Sequence, residues 1–345
     1  MEGVFMVKQM GRHGNGSDNF TAARMPGISG SMAREVLEGL RSTPKTISPK
    51  YLYDEKGSAL FEQICETPEY YLFRTEMAIL TRHVDEILSR TGGDLCLIEP
   101  GAGACRKARL MLGTGAVSTF VPVDISSRHL IDAATGVALA FPEVSVNAVA
   151  MDFLAELAQL RKALPGNGTR LIFYPGSSIG NFEPAATFRL LAEFADLLEE
   201  EGMLLIGYDL QKHPHFLERA YNDAAGVTSA FNLNLLTRLN RELGADFDVT
   251  AFRHIAFYND SRGRIEMHLE SLVPQKVRVA GETIGFRARE RIHTENSYKH
   301  TIPGFDGMAR SAGLEPIGLW TDEDAFFAVA LYRRHSSMAS GPEGA

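Results

Sequence analysis

Asp94-Leu-Cys-Leu-Ile-Glu-Pro-Gly-Ala-Gly-Ala104, followed by Cys105-Arg-Lys-Ala-Arg-Leu-Met-Leu112, decides the fold. Leu95 to Ile98 is a short apolar run between Gly92-Gly93 and Glu99-Pro-Gly, the pattern of a strand buried on both faces. Gly101 and Gly103 carry no Cβ, so the backbone there turns tightly and can approach a ligand closely. Leu110, Met111 and Leu112 follow at helical spacing. Strand, glycine turn and helix form the opening unit of a nucleotide-binding α/β sheet.

A dinucleotide fingerprint needs a third glycine where this chain has Arg106. With an acid just before the glycines, the loop instead resembles the Glu/Asp-x-Gly-x-Gly of methyltransferases that bind S-adenosylmethionine. Any tight turn after a strand can share that pattern, so the next strand ends carry the argument. Phe120-Val-Pro-Val-Asp124 ends in an acid about twenty residues on, where a carboxylate accepts hydrogen bonds from ribose hydroxyls. Val144 to Phe153 follows, and its Asp152 and Phe153 suit the amino group and ring of adenine.

Length and composition agree. A chain of 345 residues, 45% apolar, can bury one large or two modest cores. Its net charge of −8, without a basic cluster, argues against nucleic acid as a partner. Cys65, Cys96 and Cys105 are too few for a disulfide framework and lack metal spacing. Cys96 and Cys105 read as small apolar residues in or beside the first strand. No apolar run approaches the roughly 20 residues needed to span a bilayer, and no signal-peptide pattern opens the chain. A cytoplasmic, monomeric protein without a metal is expected.

Residues 1–24 lack periodicity and read as a mobile arm. Residues 75–211 and 299–333 carry the α/β rhythm, with further strands at Thr169–Tyr174, Glu201–Asp209, Ile317–Trp320 and Phe326–Leu331. Residues 25–74 and 212–298 form a second, α+β domain. Phe216–Ala225 and Ser229–Leu243 are expected to be helical there. Phe247–Tyr258 and Arg264–Val273 alternate as a hairpin, and Val277–Val279 and Thr283–Phe286 add strand. Residues 334–345 form a Ser/Gly/Pro-rich tail read as disordered. Ligands in such sheets lie outside the carboxyl ends of the strands, so Asn181 in the loop after Tyr174 faces the same crevice as the Gly101 turn. As a reading of residues alone, Asn181 serves equally well as a helix cap. Tyr53, Tyr70 and Tyr71, on loops flanking a helix, are either packing or walls for a small polar ligand. His213-Pro-His215 lacks further ligands at metal spacing and reads as a solvated loop.

The segments Lys50-Tyr-Leu-Tyr53-Asp, Pro68-Glu-Tyr70-Tyr71, Ala220–Asn234, Arg264-Ile-Glu-Met267-His-Leu and Ile292-His-Thr-Glu295-Asn-Ser297-Tyr-Lys299 resemble the histidine-specific α-N-methyltransferases of ergothioneine biosynthesis. The resemblance spans roughly residues 45 to 331. It implies a seven-stranded, doubly wound, class I (Rossmann-like) methyltransferase sheet with a second α+β substrate-binding domain. It implies S-adenosylmethionine as cofactor, held by Gly101, Lys107, Asp124, Asp152 and Phe153. L-histidine is the implied substrate, with Asn181 and Tyr221 at its carboxylate and amino end. Tyr70, Glu295 and Ser297 would receive the imidazole and Met267 would pack against it. Tyr53 and Tyr221 are the implied catalytic tyrosines. The chain departs from the family at Pro100, which removes a backbone donor from the glycine turn.

Methyl transfer from a sulfonium is an in-line displacement, so the protein must chiefly hold the reacting atoms in register. The α-amine must first lose its proton. Glu295 fits a specificity role, since its carboxylate accepts an imidazole N–H. Two alternatives stay open on these residues: an N-methyltransferase of the same fold acting on another aromatic amino acid such as a tryptophan derivative, and a non-catalytic amino-acid-binding relative.

Overall fold

A computed structural model describes residues 19–24, 29–166, 168–198 and 200–335. The chain divides into two compact units. One comprises Met1–Gly27, Thr75–Leu210 and His300–Ala345, the other Ile28–Arg74 and Gln211–Lys299.

The first unit is built on one sheet of eight strands. Their order is Phe20–Arg24, Ser145–Ala150, Val117–Asp124, Leu95–Pro100, Thr169–Tyr174, Met203–Asp209, Phe327–Arg334 and Leu314–Thr321. The first six run parallel, and Phe327–Arg334 is antiparallel to its neighbours on both sides. Leu95, Cys96, Leu97 and Ile98 are all fully buried, as a central strand covered on both faces requires. Cys96 and Ile98 join a core with the strand residues Val121, Ile172, Leu204, Ile206 and Tyr208 and the helix residues Leu191, Phe194 and Phe305. Leu95 and Leu97 alternate to the opposite face. The chain reverses direction along the sheet at Leu95–Pro100, so the crevice for a ligand lies at its carboxyl end.

Seven of these strands are those the sequence calls for; the eighth corrects the reading of residues 1–24 as an arm. Phe20–Arg24 pairs with Ser145–Ala150 in register Phe20 to Val146 through Arg24 to Ala150. Asn19 anchors its start, donating from Nδ2 to the carbonyls of Ala138, Phe141 and Val144. Residues 1–18 and 336–345, the remainder of the expected arm and nearly all of the expected tail, lie outside the described residues; Arg334 ends a strand.

The second unit carries a four-stranded sheet in the order Lys45–Thr46, Arg291–Tyr298, Arg264–Ser271 and Phe252–Asn259, with a separate hairpin of Gln275–Val279 and Glu282–Phe286. The helix Val227–Leu243 packs on this sheet and on the helix Glu55–Glu66. The polar residues that interrupt its apolar face each have a partner. Asn232 Nδ2 donates to His268 O, Asn234 Nδ2 to Asp54, and Asn240 exchanges two hydrogen bonds with the Phe247 backbone. The helix expected at Phe216–Ala225 is shorter, Pro214–Ala220, because the chain turns at Tyr221 and passes through Gly226 at φ 72°.

Candidate active site

In the first unit, the strand ends expected to meet do so. Gly101 and Ala102 both donate to Val123 O, which ties the glycine turn to the neighbouring strand. Pro100 is the last strand residue, in register with Val123, so its missing N–H leaves that tie intact. Gly101 and Gly103 have φ of 72° and 51°, and a Cβ at either would meet nothing within 4 Å. The turn therefore needs glycine for its backbone conformation and opens onto free space.

Asp124 closes the turn from the next strand. Its Oδ2 accepts Gly103 N–H at 3.0 Å and its Oδ1 accepts Ser126 N–H at 2.8 Å. Burial raises its pKa, and these backbone donors oppose the rise. Glu99 is buried with Oε2 unpartnered. Burial pushes it well above the usual carboxylate range, against the pull of Lys107. An orphaned buried acceptor beside an open glycine turn fits a polar ligand there. Asp152 and Phe153 stand at the end of the third strand, Phe153 edge-on to Tyr174 at 6.1 Å.

Lys107 reaches a residue that the sequence reading passed over. Its Nζ lies 2.5 Å from Glu76 Oε2, and both Glu76 oxygens accept Gly176 N–H. The signal was available: Glu76 shares a helical stripe with Ile79, Leu80 and Ile87, an acid on an apolar face. Asn181 ends the short turn Ser178–Asn181, and the following helix is flanked by Glu183 without a side-chain cap. Asn181 is thus no helix cap, and its amide makes no protein hydrogen bond among the described residues.

In the second unit, Tyr53, Phe61, Tyr70, Phe231 and Tyr221 form a chain of ring contacts with centroids 5.4 to 6.2 Å apart. Phe61 and Phe231 belong to this wall although the sequence reading did not name them as site residues. Tyr53 is held by its neighbour Asp54, which caps a helix through Gly57 N–H and pairs with Arg241. Tyr70 is buried, which raises its hydroxyl pKa well above the ordinary value; Tyr221, Cys65, Tyr53 and Glu295 add to the rise.

Glu295 lies opposite Met267 in the Arg291–Tyr298 and Arg264–Ser271 pair, just after a β-bulge that begins at His293. Such an irregularity re-aims the side chains that follow it. Glu295 is 9% exposed and its Oε2 has no partner. Burial raises its pKa to about 8, and Lys299 opposes the rise. Beside it, Tyr221 OH bonds Ser297 Oγ at 2.7 Å and Lys299 Nζ bonds the same oxygen at 2.8 Å. Tyr53, Tyr70, Tyr221, Met267, Glu295 and Ser297 thus belong to the second unit, whereas Asn181 and the strand-end acids belong to the first.

Behind the bulge, Glu266, His268 and His293 bring three potential metal ligands within 4.8 Å of one another. Their arrangement serves the strands instead. Glu266 is paired with Arg264 at 2.8 Å, and the two imidazoles stack at 4.7 Å and 22°, which does not aim two in-plane lone pairs at one point. Burial lowers the pKa of both imidazoles, His268 to about 4. His293 Nε2 then lies 3.0 Å from Glu295 O, pinning the bulge.

A doubly wound sheet with a glycine turn and acids at consecutive strand ends defines a class I methyltransferase. Residues 32–334 match the family described as histidine-specific methyltransferase, SAM-dependent. The chain belongs to that family, and its cofactor is S-adenosylmethionine. It is 39% identical to the histidine N-alpha-methyltransferase of Mycolicibacterium smegmatis over 87% of this chain and 94% of that protein. It is 29% identical to ergothioneine biosynthesis protein 1 of Neurospora crassa, over 87% of this chain and 34% of that longer protein. It is also 27% identical to 4-dimethylallyltryptophan N-methyltransferase of Aspergillus fumigatus, over 89% of this chain and 96% of that one.

Proposed function

We propose that the protein transfers three methyl groups to the α-amino group of L-histidine, giving the trimethylated betaine hercynine in the first step of ergothioneine biosynthesis. The observation that carries the reading is the orphaned Oε2 of Glu295, a buried carboxylate oxygen beside an aromatic wall. A buried acceptor without a donor costs about 1–3 kcal/mol, and an imidazole N–H removes that cost. Alkyl and phenyl side chains have no such donor to give.

The residues divide the work. Gly101, Lys107, Asp124, Asp152 and Phe153 hold the cofactor, and Glu76 ties Lys107 to the loop at Gly176. S-adenosylmethionine supplies a methyl on a positively charged sulfur, open to attack by a nitrogen lone pair. Asn181 and Tyr221 orient the carboxylate and amino end of histidine. Tyr70, Glu295, Ser297 and Met267 fix the ring, so the amine is presented in one orientation. Tyr53 and Tyr221 are the hydroxyls that relay the amine proton to water, each giving up its own hydrogen as it receives one, because an ammonium has no lone pair. Each of the three rounds places the same demand for orientation, while the third leaves a fixed positive charge.

The α/β unit is the cofactor domain and the α+β unit the substrate domain in this reading. The protein acts as a monomer in the cytoplasm. Among the described residues no helix is long and apolar enough to cross a membrane, and Cys65, Cys96 and Cys105 are free thiols. Light scattering on the purified protein tests the monomer.

The test of function is direct. The protein is incubated with methyl-labelled S-adenosylmethionine and each of the twenty amino acids, and the products are weighed by mass spectrometry. Label in histidine alone, rising to three methyls on the α-nitrogen, is the expected result. Label on a ring nitrogen, or preferential label in tryptophan, contradicts the assignment.

A further inference from the structure

Glu295, Ser297 and Lys299 stand at alternate positions along one strand and its exit, and therefore on one face. All three are buried. An acceptor, a hydroxyl and a cation thus follow one another along the same surface.

The hydrogen bonds among them have a direction. Ser297 Oγ lies 2.8 Å from Lys299 Nζ and 2.7 Å from Tyr221 OH, and Lys299 Nζ lies 3.3 Å from the Tyr221 hydroxyl oxygen. An ammonium donates and never accepts, so both hydroxyl oxygens face it as acceptors. The two hydroxyls own two hydrogens. One is spent on the bond between them, and one is left over. The phenol is the more acidic hydroxyl and so the better donor, which makes Tyr221 donate to Ser297. Two bonds then enter the Ser297 oxygen and occupy its lone pairs. Its own hydrogen must turn away from both partners.

We propose that Lys299 is a positioning residue that locks Ser297 as a hydrogen-bond donor, so that Ser297 and Glu295 together read the neutral tautomer of the substrate imidazole. The ring N–H goes to Glu295, and the bare ring nitrogen accepts from Ser297. An imidazolium would set a second N–H against the Ser297 hydrogen. An indole has an N–H but no bare nitrogen, and a phenyl ring has neither. The inference rests on histidine being the substrate, as proposed above, and it adds the ring's protonation state and the residue that enforces it.

Two measurements test it. The first uses wild-type protein and β-(1,2,4-triazol-3-yl)-L-alanine, whose ring stays neutral near pH 7 yet still offers one N–H and bare nitrogens. Its kcat/KM is expected within about tenfold of that for histidine, a difference of about 1.4 kcal/mol or less. Turnover of histidine with rejection of the triazole by more than about hundredfold overturns the proposal, because the site would then require the charged ring.

The second is a double-mutant cycle on Lys299→Met and Ser297→Ala. Each single change should lower kcat/KM for histidine by about 10- to 100-fold, mainly through KM, as the loss of a charge-assisted bond predicts. If Lys299 acts through Ser297, the double variant loses no more than about threefold beyond the worse single one. Losses that multiply show independent roles and overturn the proposal. Calorimetry should give cofactor affinity within about twofold of wild type in every variant, since nothing touching the nucleoside has changed. Should Lys299→Met fail to fold, Lys299→Leu also removes the donor and enters the same cycle, while the triazole arm needs no variant. A wild-type protein that leaves histidine unmethylated refutes the functional assignment instead, and the two failures are told apart by that control.

Discussion

Lys107 Nζ and Glu76 Oε2 lie 2.5 Å apart with side chains only 10% and 1% exposed, and the same carboxylate accepts the Gly176 N–H. One buried acid thereby joins the end of the glycine turn to the loop after Thr169–Tyr174. Gly207 makes room for it: a Cβ there would stand 1.8 Å from Glu76 Oε1.

Removing Glu76 should therefore damage stability and cofactor binding together. Glu76→Ala takes the hydrogen-bonded acid away from a buried ammonium, which costs about 3–5 kcal/mol. Gly207→Ala crowds the same carboxylate and should cost about 1–3 kcal/mol. Denaturant unfolding reads both. A Glu76→Ala protein as stable as wild type would show that the pair is incidental.

Asp124→Ala should weaken S-adenosylmethionine binding by about 1.5–3 kcal/mol, the worth of a hydrogen bond to a charged acceptor. The same carboxylate braces Gly103 and Ser126, so a modest drop in stability should accompany the loss. Titration calorimetry showing unchanged affinity would remove Asp124 from the cofactor site.

Asn181→Ala and Tyr221→Phe should raise the KM for histidine and leave cofactor affinity near wild type. Tyr221→Phe also strips Ser297 of an incoming hydrogen bond, so its effect should be the larger. Joint loss of histidine and cofactor affinity in either variant would mark it as a structural support.

Glu295 should also write itself into the pH dependence of stability. Burial lifts its pKa from 4.5 to about 8, so the folded protein keeps a proton that the unfolded chain has released. The unfolded state then binds fewer protons, and stability falls as pH rises from about 4.5 to about 8. Glu295→Gln carries no such charge and should lose on the order of 1–3 kcal/mol less across that window. Thermal unfolding of both ligand-free proteins at pH 5 and pH 8 reads the difference (~3 pH units apart). Identical slopes would mean that Glu295 titrates as an exposed acid.

The sheet was legible because its signals are local. An apolar run followed by a glycine turn and strand-end acids can each be read from a few consecutive residues. The same holds for the Phe252–Asn259 and Arg264–Ser271 hairpin, expected from alternation over Phe247–Tyr258 and Arg264–Val273. What escaped depends on distant partners. The Phe20–Arg24 edge strand is stabilised by pairing with Val146 and its neighbours, more than a hundred residues away, and its own composition resembles an arm. The Lys107–Glu76 pair joins residues 31 apart, and neither one signals the other locally. Phe61 and Phe231 enter the aromatic wall only when two helices pack together. Glu295, Ser297 and Tyr70 came from resemblance, and nothing local distinguishes Glu295 from a surface acid. The orphaned oxygen, the bulge and the Lys299 contact are tertiary facts.

The claim that Glu295 reads the substrate side chain is tested most directly by measuring kcat/KM for L-histidine and L-tryptophan in wild type and Glu295→Ala. Histidine is expected to lose about 1–3 kcal/mol of transition-state stabilisation or more, because its ring N–H is left without a buried acceptor. Tryptophan, whose indole offers Ser297 no bare nitrogen and so is not held in register with Glu295, should lose less, so the histidine-to-tryptophan ratio falls while cofactor affinity holds. A ratio unmoved by Glu295→Ala, in a protein that still folds and binds its cofactor, contradicts the account.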